Sequence, residues 1–345
     1  MAELLADHTT FRLGGPAHTW VRATTEAELV EAVRRADQAG DPVLLVAGGS
    51  NLLVADEGFV GTVVEVATSG ISVDTTDAAS CGGVLVTVAA GESWDALVAR
   101  AVTDGWVGVE ALSGIPGSVG ATPVQNVGAY GQEVAQTIAR VRVWDRRLNG
   151  LRTFAAADCG FGYRTSRFKA DPGRHIVLDV TFQLPQGSLG APVGYAELAR
   201  TLGVEPGSRA PATDVRNAVL GLRGSKGMVL DPADHDTWSA GSFFTNPVVA
   251  AAVVPEGAPA WPQPDGSVKT SAAWLIEHAG FAKGYAVPGS TGAASLSTKH
   301  TLALTNRGTA STVDVLDLAR TIRDEVAARF GITLVNEPQL VACTL

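Results

Sequence analysis

Residues 113–131 constrain the fold more than any other segment. Gly114, Gly117 and Gly120 recur at every third position, Gly128 and Gly131 follow, and Pro116 and Pro123 lock φ between them. No apolar period of a helix or a strand runs through the stretch, so it must be a loop whose backbone takes a demanding path. Irregular segments of this length inside a domain are usually functional. A chain this stiff can lie along a pyrophosphate and present the amides of Gln125 and Asn126 to a heteroaromatic edge. The competing reading is a loop of structural use alone.

Around it, strands and helices alternate. Thr25 and Glu28 form a capping-box pattern, Leu29, Val30 and Val33 supply an apolar face, and Gly40 ends the helix. Strands are expected at 43–46 and 62–66, which makes the opening βαβ-like. Further strands are expected at 84–90, 140–144 and 176–184, with a helix capped by Ser93 that runs to Val102 and stops at Gly105. The last two strands flank a turn-rich segment, and the alternation points to an antiparallel sheet with loops on one side. Between 185 and 211 the composition turns to Pro, Gly and Ala around a short helical piece at 195–202, read as a domain boundary with an inserted loop. Helices follow at 271–278 and 312–330. The second carries Val315, Leu316, Ala319, Ile322, Val326 and Phe330 on one face and stops at Gly331, before a terminal strand at 332–341.

The chain has 345 residues, more than one hydrophobic core usually serves, so two or three domains are expected. A net charge of −9 repels nucleic-acid phosphates and anionic lipid, which argues against non-specific binding to either. An anionic ligand would then need a locally basic site. Cys81, Cys159 and Cys343 are odd in number and form no CxxC pair, and the six histidines show no HExxH spacing. Neither a disulfide framework nor a metal is expected. The N-terminus lacks the marks of a signal peptide and no apolar run approaches the ~20 residues of a membrane span, so a cytoplasmic, reducing location is expected.

Several short motifs carry candidate chemistry. Gly48-Gly49-Ser50-Asn51 directly follows the strand at 43–46. Backbone N–H groups of such a turn can approach an anion and Ser50 adds a donor, yet a tight strand exit needs the same residues. The pattern is not GxGxxG, so a Rossmann fingerprint is absent. Arg164, in Phe161-Gly162-Tyr163-Arg164-Thr165-Ser166, either offers a planar fork to a carboxylate with Tyr163 as a partial lid or is solvated at a sheet edge. Ser242, in Gly241-Ser242-Phe243-Phe244-Thr245-Asn246-Pro247, suits either packing or proton donation at close range, with no GxSxG elbow around it. Glu337 is an acid in an apolar stretch, at an exposed edge or held within a site. Lys226, Lys269 and Lys299 are candidate anion contacts, although most lysines are surface charges.

Taken in order, Thr10-Phe11-Arg12-Leu13-Gly14-Gly15-Pro16-Ala17, the Gly-Gly-Ser-Asn turn, the 113–131 loop, Tyr163-Arg164, the Ser242 motif and Asn336-Glu337-Pro338 resemble the UDP-N-acetylenolpyruvoylglucosamine reductases of bacterial peptidoglycan synthesis, over nearly the whole chain. The resemblance implies an α+β fold with an FAD-binding domain of the p-cresol methylhydroxylase/vanillyl-alcohol oxidase type. Its two subdomains would be 1–70 and 71–210, the second with a tyrosine loop near 185–205, followed by an α+β substrate-binding domain at 211–345. Non-covalent FAD would be held by Gly48, Gly49, Ser50 and Asn51, by Ser113, Gly117, Ser118, Gly120, Ala121, Pro123, Gln125, Asn126 and Gly128, and by Val177. Tyr163, Tyr195, Lys226, Asn246 and Lys269 would bind substrate, and Arg164, Ser242 and Glu337 would be catalytic. Tyr195 marks the longer subtype, while Ala47 and Thr245 depart from residues common in the family.

The implied reaction uses NADPH as hydride-donating co-substrate. Hydride passes by way of the flavin to the terminal vinyl carbon of UDP-N-acetylglucosamine enolpyruvate, Arg164 and Glu337 hold the carboxylate on which charge builds, and Ser242 protonates the adjacent carbon. The product would be UDP-N-acetylmuramate. Small molecules are the implied partners, with no nucleic acid and no membrane, and a monomer is one expected state. Two other readings compete: an FAD-dependent sugar or alcohol oxidase of the same superfamily, and a catalytically silent nucleotide-binding protein. No histidine lies between His18 and His175 to tether a flavin, and the presence of Arg164, Ser242 and Glu337 together weighs against a silent protein.

Overall fold

A computed structural model describes residues 3–74 and 83–345, and Cys81 lies outside them. The chain forms two compact units. The larger comprises Thr19–Gly48 and Val60–Gly224, and the smaller comprises the chain up to His18, Gly49–Phe59 and Ser225–Leu345. Each contains its own hydrophobic core. Among the described residues no helix is long and apolar enough to cross a membrane.

In the larger unit, the helix Glu26–Ala39 starts at the capping box of Thr25 and Glu28 and ends at Gly40, which takes a left-handed conformation. The strand Val43–Val46 runs parallel to Phe59–Val66, in a three-stranded sheet with Ala17–Ala23 on the other side of Phe59–Val66. The opening strand–helix–strand run, Ala17–Ala23, Glu26–Ala39 and Val43–Val46, thus places both of its strands in this sheet. A five-stranded sheet follows the order Gly150–Ala155, Ile138–Asp145, His175–Pro185, Gly83–Ala89, Ile71–Asp74, and every neighbouring pair is antiparallel. Alternate residues Val86, Val88, Val141, Val143, Val180 and Phe182 are fully buried in one core with Trp94 and Leu97 of the helix Trp94–Thr103. Burying each such side chain contributes about 1.5–3 kcal/mol. Trp94 also packs 5.9 Å from the Phe182 ring and donates its indole N–H to the Leu112 carbonyl at 3.0 Å, which ties the helix to the start of the glycine loop.

After the strand His175–Pro185 the chain builds an arm. Gly190 and Val193 donate to the carbonyls of Ala210 and Ser208 (2.9 and 2.8 Å), and Ala212 donates to Ser188 (2.9 Å). The helix Ala196–Leu202 caps its tip, with Tyr195 at the N-cap position. A helix the sequence reading missed, Ala212–Ser225, follows directly. Gly221 and Gly224 hide it by interrupting the helical composition. Its signal is the spacing of Ala212, Val215 and Val219, all buried with Val193, Leu198, Ala199 and Ala210 of the arm.

In the smaller unit, the helix Thr312–Phe330 begins at a capping box of Ser311 and Asp314 and ends at Gly331, as its pattern predicts. It buries Val315, Leu318, Ile322 and Val326 in a core shared with Leu275 and Ile276 of the helix Ala272–His278 and with the hairpin of Ala294–Leu296 and Leu304–Asn306. The terminal strand expected at 332–341 is corrected to Gln339–Val341, which pairs parallel with Leu52–Val54. Pro338 has no N–H to give a ladder, and the Glu337 N–H turns to the carbonyl of Phe243 instead (2.8 Å).

Candidate active site

Gly48, the first residue of one glycine segment, meets the other segment in the larger unit. A methyl group on Gly48 would lie 2.6 Å from Gly117 Cα, and one on Gly120 would lie 2.5 Å from Ala90 Cβ. Neither position has room for a side chain. The loop's path is pinned by main-chain bonds: Trp94 N–H to Gly117 O (3.1 Å), Val119 N–H to Glu92 O (2.8 Å) and Gly120 N–H to Ala90 O (2.8 Å). Gly114 N–H donates to Asp95 (2.6 Å), whose carboxyl also takes both ends of the Arg216 fork (2.7 and 2.9 Å). Burial pushes the Asp95 carboxyl up, but the Arg216 guanidinium and the Gly114 N–H outweigh it and hold it below the usual carboxylate range. Ser113, Ser118, Gly120 and Pro123 are buried within this path, whereas Ala121 is exposed and Gln125 half-buried. A close-packed glycine backbone at a strand exit is the kind of main-chain cradle a dinucleotide pyrophosphate can occupy, and in that respect the residues present fit FAD.

Arg164 occupies a strained turn. Gly162 and Thr165 exchange main-chain hydrogen bonds (3.1 and 3.3 Å), and Arg164 between them has φ +51°, a conformation that costs a residue with a side chain about 1–3 kcal/mol. Its Nη2 donates to Gly128 O at 2.8 Å, the Lys169 ammonium donates to its carbonyl at 3.1 Å, and its guanidinium stands 5.6 Å from the Tyr163 ring centroid. Asn126, buried and itself at φ +48°, explains how the turn is held. Its Nδ2 donates to Glu133 (2.8 Å) and to Gly162 O (3.1 Å), and its Oδ1 accepts the Ala135 N–H (3.1 Å). The side chain of Asn126 thus links the glycine loop to the Arg164 turn. Sequence reasoning missed Glu133, the partner that orients this amide; the one signal for it is its place just after the Gly128–Gly131 turns. Val177 is buried on the strand His175–Pro185, opposite Val143. Tyr195, 45% exposed, meets the Tyr130 ring edge-on at 5.4 Å.

The smaller unit gathers the remaining motifs. Gly49 has φ +55°, and a methyl there would lie 1.8 Å from His8 O. Asn51 donates its amide to the Glu337 carbonyl (3.4 Å) and accepts the Gln339 N–H on its own carbonyl (2.9 Å). Glu337 N–H donates to Phe243 O, and Phe244 bridges Asn336. The Gly49-Ser50-Asn51 part of the turn, the Ser242 motif and Asn336-Glu337-Pro338, far apart in sequence, are therefore one cluster. Phe243 and Phe244 are buried with ring centroids 5.1 Å apart and anchor the half-buried Ser242. Glu337 is also half-buried, on irregular backbone instead of a strand edge. Asn246 accepts the Ala272 N–H at the start of the helix Ala272–His278 (3.0 Å), and Lys269 lies 5.7 Å from the Trp261 ring. Lys226 directly follows the helix Ala212–Ser225 and is half-buried. The Lys299 ammonium pairs with Asp234, and that contact raises its pKa.

Comparison with known proteins decides what this arrangement belongs to. The FAD binding domain family matches residues 17–148, and the family described as UDP-N-acetylenolpyruvoylglucosamine reductase, C-terminal domain, matches 231–341. The UDP-N-acetylenolpyruvoylglucosamine reductase of Cutibacterium acnes is 60% identical over 341 residues, covering 99% of this chain and 90% of that protein. The chain belongs to the UDP-N-acetylenolpyruvoylglucosamine reductase family. The Thermobifida fusca relative is 56% identical and covers 99% of this chain and 97% of its own. The crystal structure of the Thermus caldophilus reductase superposes with a TM-score of 0.67 at 27% identity, covering 99% and 98% of the two chains. The expected fold, an FAD-binding domain followed by the C-terminal domain of this reductase family, is borne out. Gly48–Asn51 and the glycine loop fall in the first match, Ser242 and Glu337 in the second, and Arg164, Tyr195 and Lys226 between them.

Proposed function

We propose that the chain is an NADPH-dependent reductase that converts UDP-N-acetylglucosamine enolpyruvate into UDP-N-acetylmuramate for peptidoglycan precursors, with FAD bound non-covalently. The observation that carries this reading is the contact of Gly48 with Gly117, in a chain whose relatives bear the reductase name at 52–60% identity. FAD would be held by Gly48, Gly49, Ser50 and Asn51, by the 113–128 part of the glycine loop and by Val177. When bound, it supplies a hydride relay from NADPH to the enolpyruvyl group.

The chain's own residues would do the rest. Arg164 would grip the substrate carboxylate through its planar fork; support comes from the turn that fixes its backbone and from the Gly128 contact that aims it. Glu337 would hydrogen-bond the same carboxylate as charge builds there, its main chain being held by Phe243 and Asn51. Ser242 would deliver the proton to the adjacent carbon, its position set by the two buried rings that follow it. Tyr163, Tyr195, Lys226, Asn246 and Lys269 would contact the sugar nucleotide. The division into 1–70, 71–210 and 211–345 then describes which parts serve cofactor and substrate, and a monomer working in the cytoplasm on small molecules completes the reading.

The deciding experiment is anaerobic. Purified yellow protein is reduced with NADPH, the enolpyruvyl nucleotide is added, and the flavin absorbance is followed. Its return supports the reading; absorbance that stays bleached, or a protein that takes up no FAD, ends it.

A further inference from the structure

Glu110 is wholly buried, and nothing in the reaction just described uses it. Its carboxyl group accepts three hydrogen bonds: Gly108 N–H at 2.6 Å, Ala191 N–H at 2.6 Å and Gln132 Nε2 at 2.9 Å. Gln132 in turn accepts the Ala111 N–H on its own side-chain oxygen (2.8 Å). The three donors come from three segments, namely the entry to the glycine loop, the turn that carries Tyr130, and the base of the arm that carries Tyr195. A methyl group on Gly190 would lie 2.6 Å from Glu110 Oε1, so the arm can come this close only without a side chain at that point.

Burying such a group is costly unless every acceptor is matched, and removing it would leave main-chain N–H groups without their partner. An apolar side chain of similar volume would fill the space but would not hold the three segments in register. The arm itself is a preformed body: its two runs are hydrogen-bonded to each other, and Val193, Leu198, Ala199 and Ala210 share a small core with Ala111, the neighbour of Glu110. What remains to be set is where that body stands against the loop, and Glu110 makes that connection.

We propose that Glu110 is a positioning residue for substrate binding: by joining Ala191 to Gln132 it holds Tyr195 edge-on against Tyr130 and so presets the tyrosine arm for the sugar nucleotide. The substrate part of this inference rests on the role given to Tyr195 in the proposed function; the clamp itself does not.

Glu110→Gln tests both parts, because it keeps the shape but turns one acceptor oxygen into a donor facing a main-chain N–H. Hydrogen exchange is expected to speed at least tenfold in 188–212 and to stay unchanged in the strand Ile138–Asp145. The KM for the enolpyruvyl nucleotide is expected to rise about tenfold, with flavin reduction by NADPH within twofold of the unaltered protein. Gly190→Ala, which crowds the same acid without removing it, is expected to act alike and serves if the first variant does not fold. Unchanged exchange in 188–212, uniform acceleration through the unit, or equal damage to both half-reactions would overturn the proposal. If the unaltered protein fails to turn over the nucleotide, the functional reading falls, while the exchange result still decides the clamp.

Discussion

Gly48 and Gly117 touch backbone to backbone, so closely that a methyl on the first would stand 2.6 Å from the Cα of the second. The contact joins the exit of the strand Val43–Val46 to the glycine loop, and the loop is in turn bonded to the helix Trp94–Thr103 and to Ala90. A shift of either segment is therefore felt by the other, because packed main chain has no flexible end that can move aside.

Gly48→Ala is expected to destabilise the protein by about 1–3 kcal/mol through overpacking and to lower the FAD content of the purified material. Gly221→Ala is the contrast. It lies in the helix Ala212–Ser225 with nothing within 4 Å of its added methyl, and it is expected to stabilise by about 0.5–1 kcal/mol. Urea unfolding and the ratio of flavin to protein absorbance check both.

Ser242→Ala is expected to leave flavin reduction by NADPH intact and to slow reoxidation by the enolpyruvyl nucleotide by roughly 10²–10⁴-fold, the range for a lost proton donor. Rapid-mixing measurements of the two half-reactions decide it. Equal slowing of both would remove Ser242 from the proton-donor role.

Arg164→Lys retains the charge and the strained φ but loses the planar fork and its hydrogen bond to Gly128 O. Stability is expected to fall by only about 1 kcal/mol, whereas kcat/KM should drop by two orders of magnitude or more, roughly the scale at which a transition-state contact is lost. Near-normal steady-state turnover would rule the clamp out.

Acid should lower the stability of the larger unit in two steps. Burial pushes the His175 imidazole below its usual 6.5; it is packed edge-on to Phe154 and Phe168, and its Nδ1 has no hydrogen-bond partner among the described residues. The unfolded chain takes up a proton there below pH 6.5 that the folded chain resists, so stability declines as pH falls through that point. Asp145 is held at about 2 by the Arg174 guanidinium, so its contribution is complete above about pH 4 and is lost as pH falls toward 2. Denaturant midpoints measured from pH 8 to 2.5 should show both declines. His175→Phe is expected to flatten the first; Asp145→Asn is expected to remove the second and, because His175 Nε2 lies 3.7 Å from Asp145 Oδ2 and loses that favourable charge, to deepen the first.

Much of the secondary structure was legible. The helices at 26–39 and 312–330 declare themselves through capping boxes, an apolar face and a terminal glycine, all local features. The helix Ala212–Ser225 was not, because its glycines interrupt a pattern that tertiary burial sustains. The terminal strand was over-read, because an apolar run says nothing about whether a partner strand lies beside it. At the candidate site, ordered motifs were enough to place the chain in its family. The use of the Asn126 amide and the presence of Glu110 were not visible, since an amide or an acid in a loop has the same sequence whether it faces a ligand or its own chain.

By itself, then, the sequence determined the local conformations and the membership of the chain in its family: caps, stops and turns depend on neighbours a few residues away, and ordered motifs need no coordinates to be matched. Only the tertiary structure decided which segments touch. Gly48 meets Gly117, Asn51 meets Glu337, and Glu110 reaches Ala191 because burial of two cores brings distant segments together and then obliges each enclosed polar group to find whatever partner the packing leaves within reach.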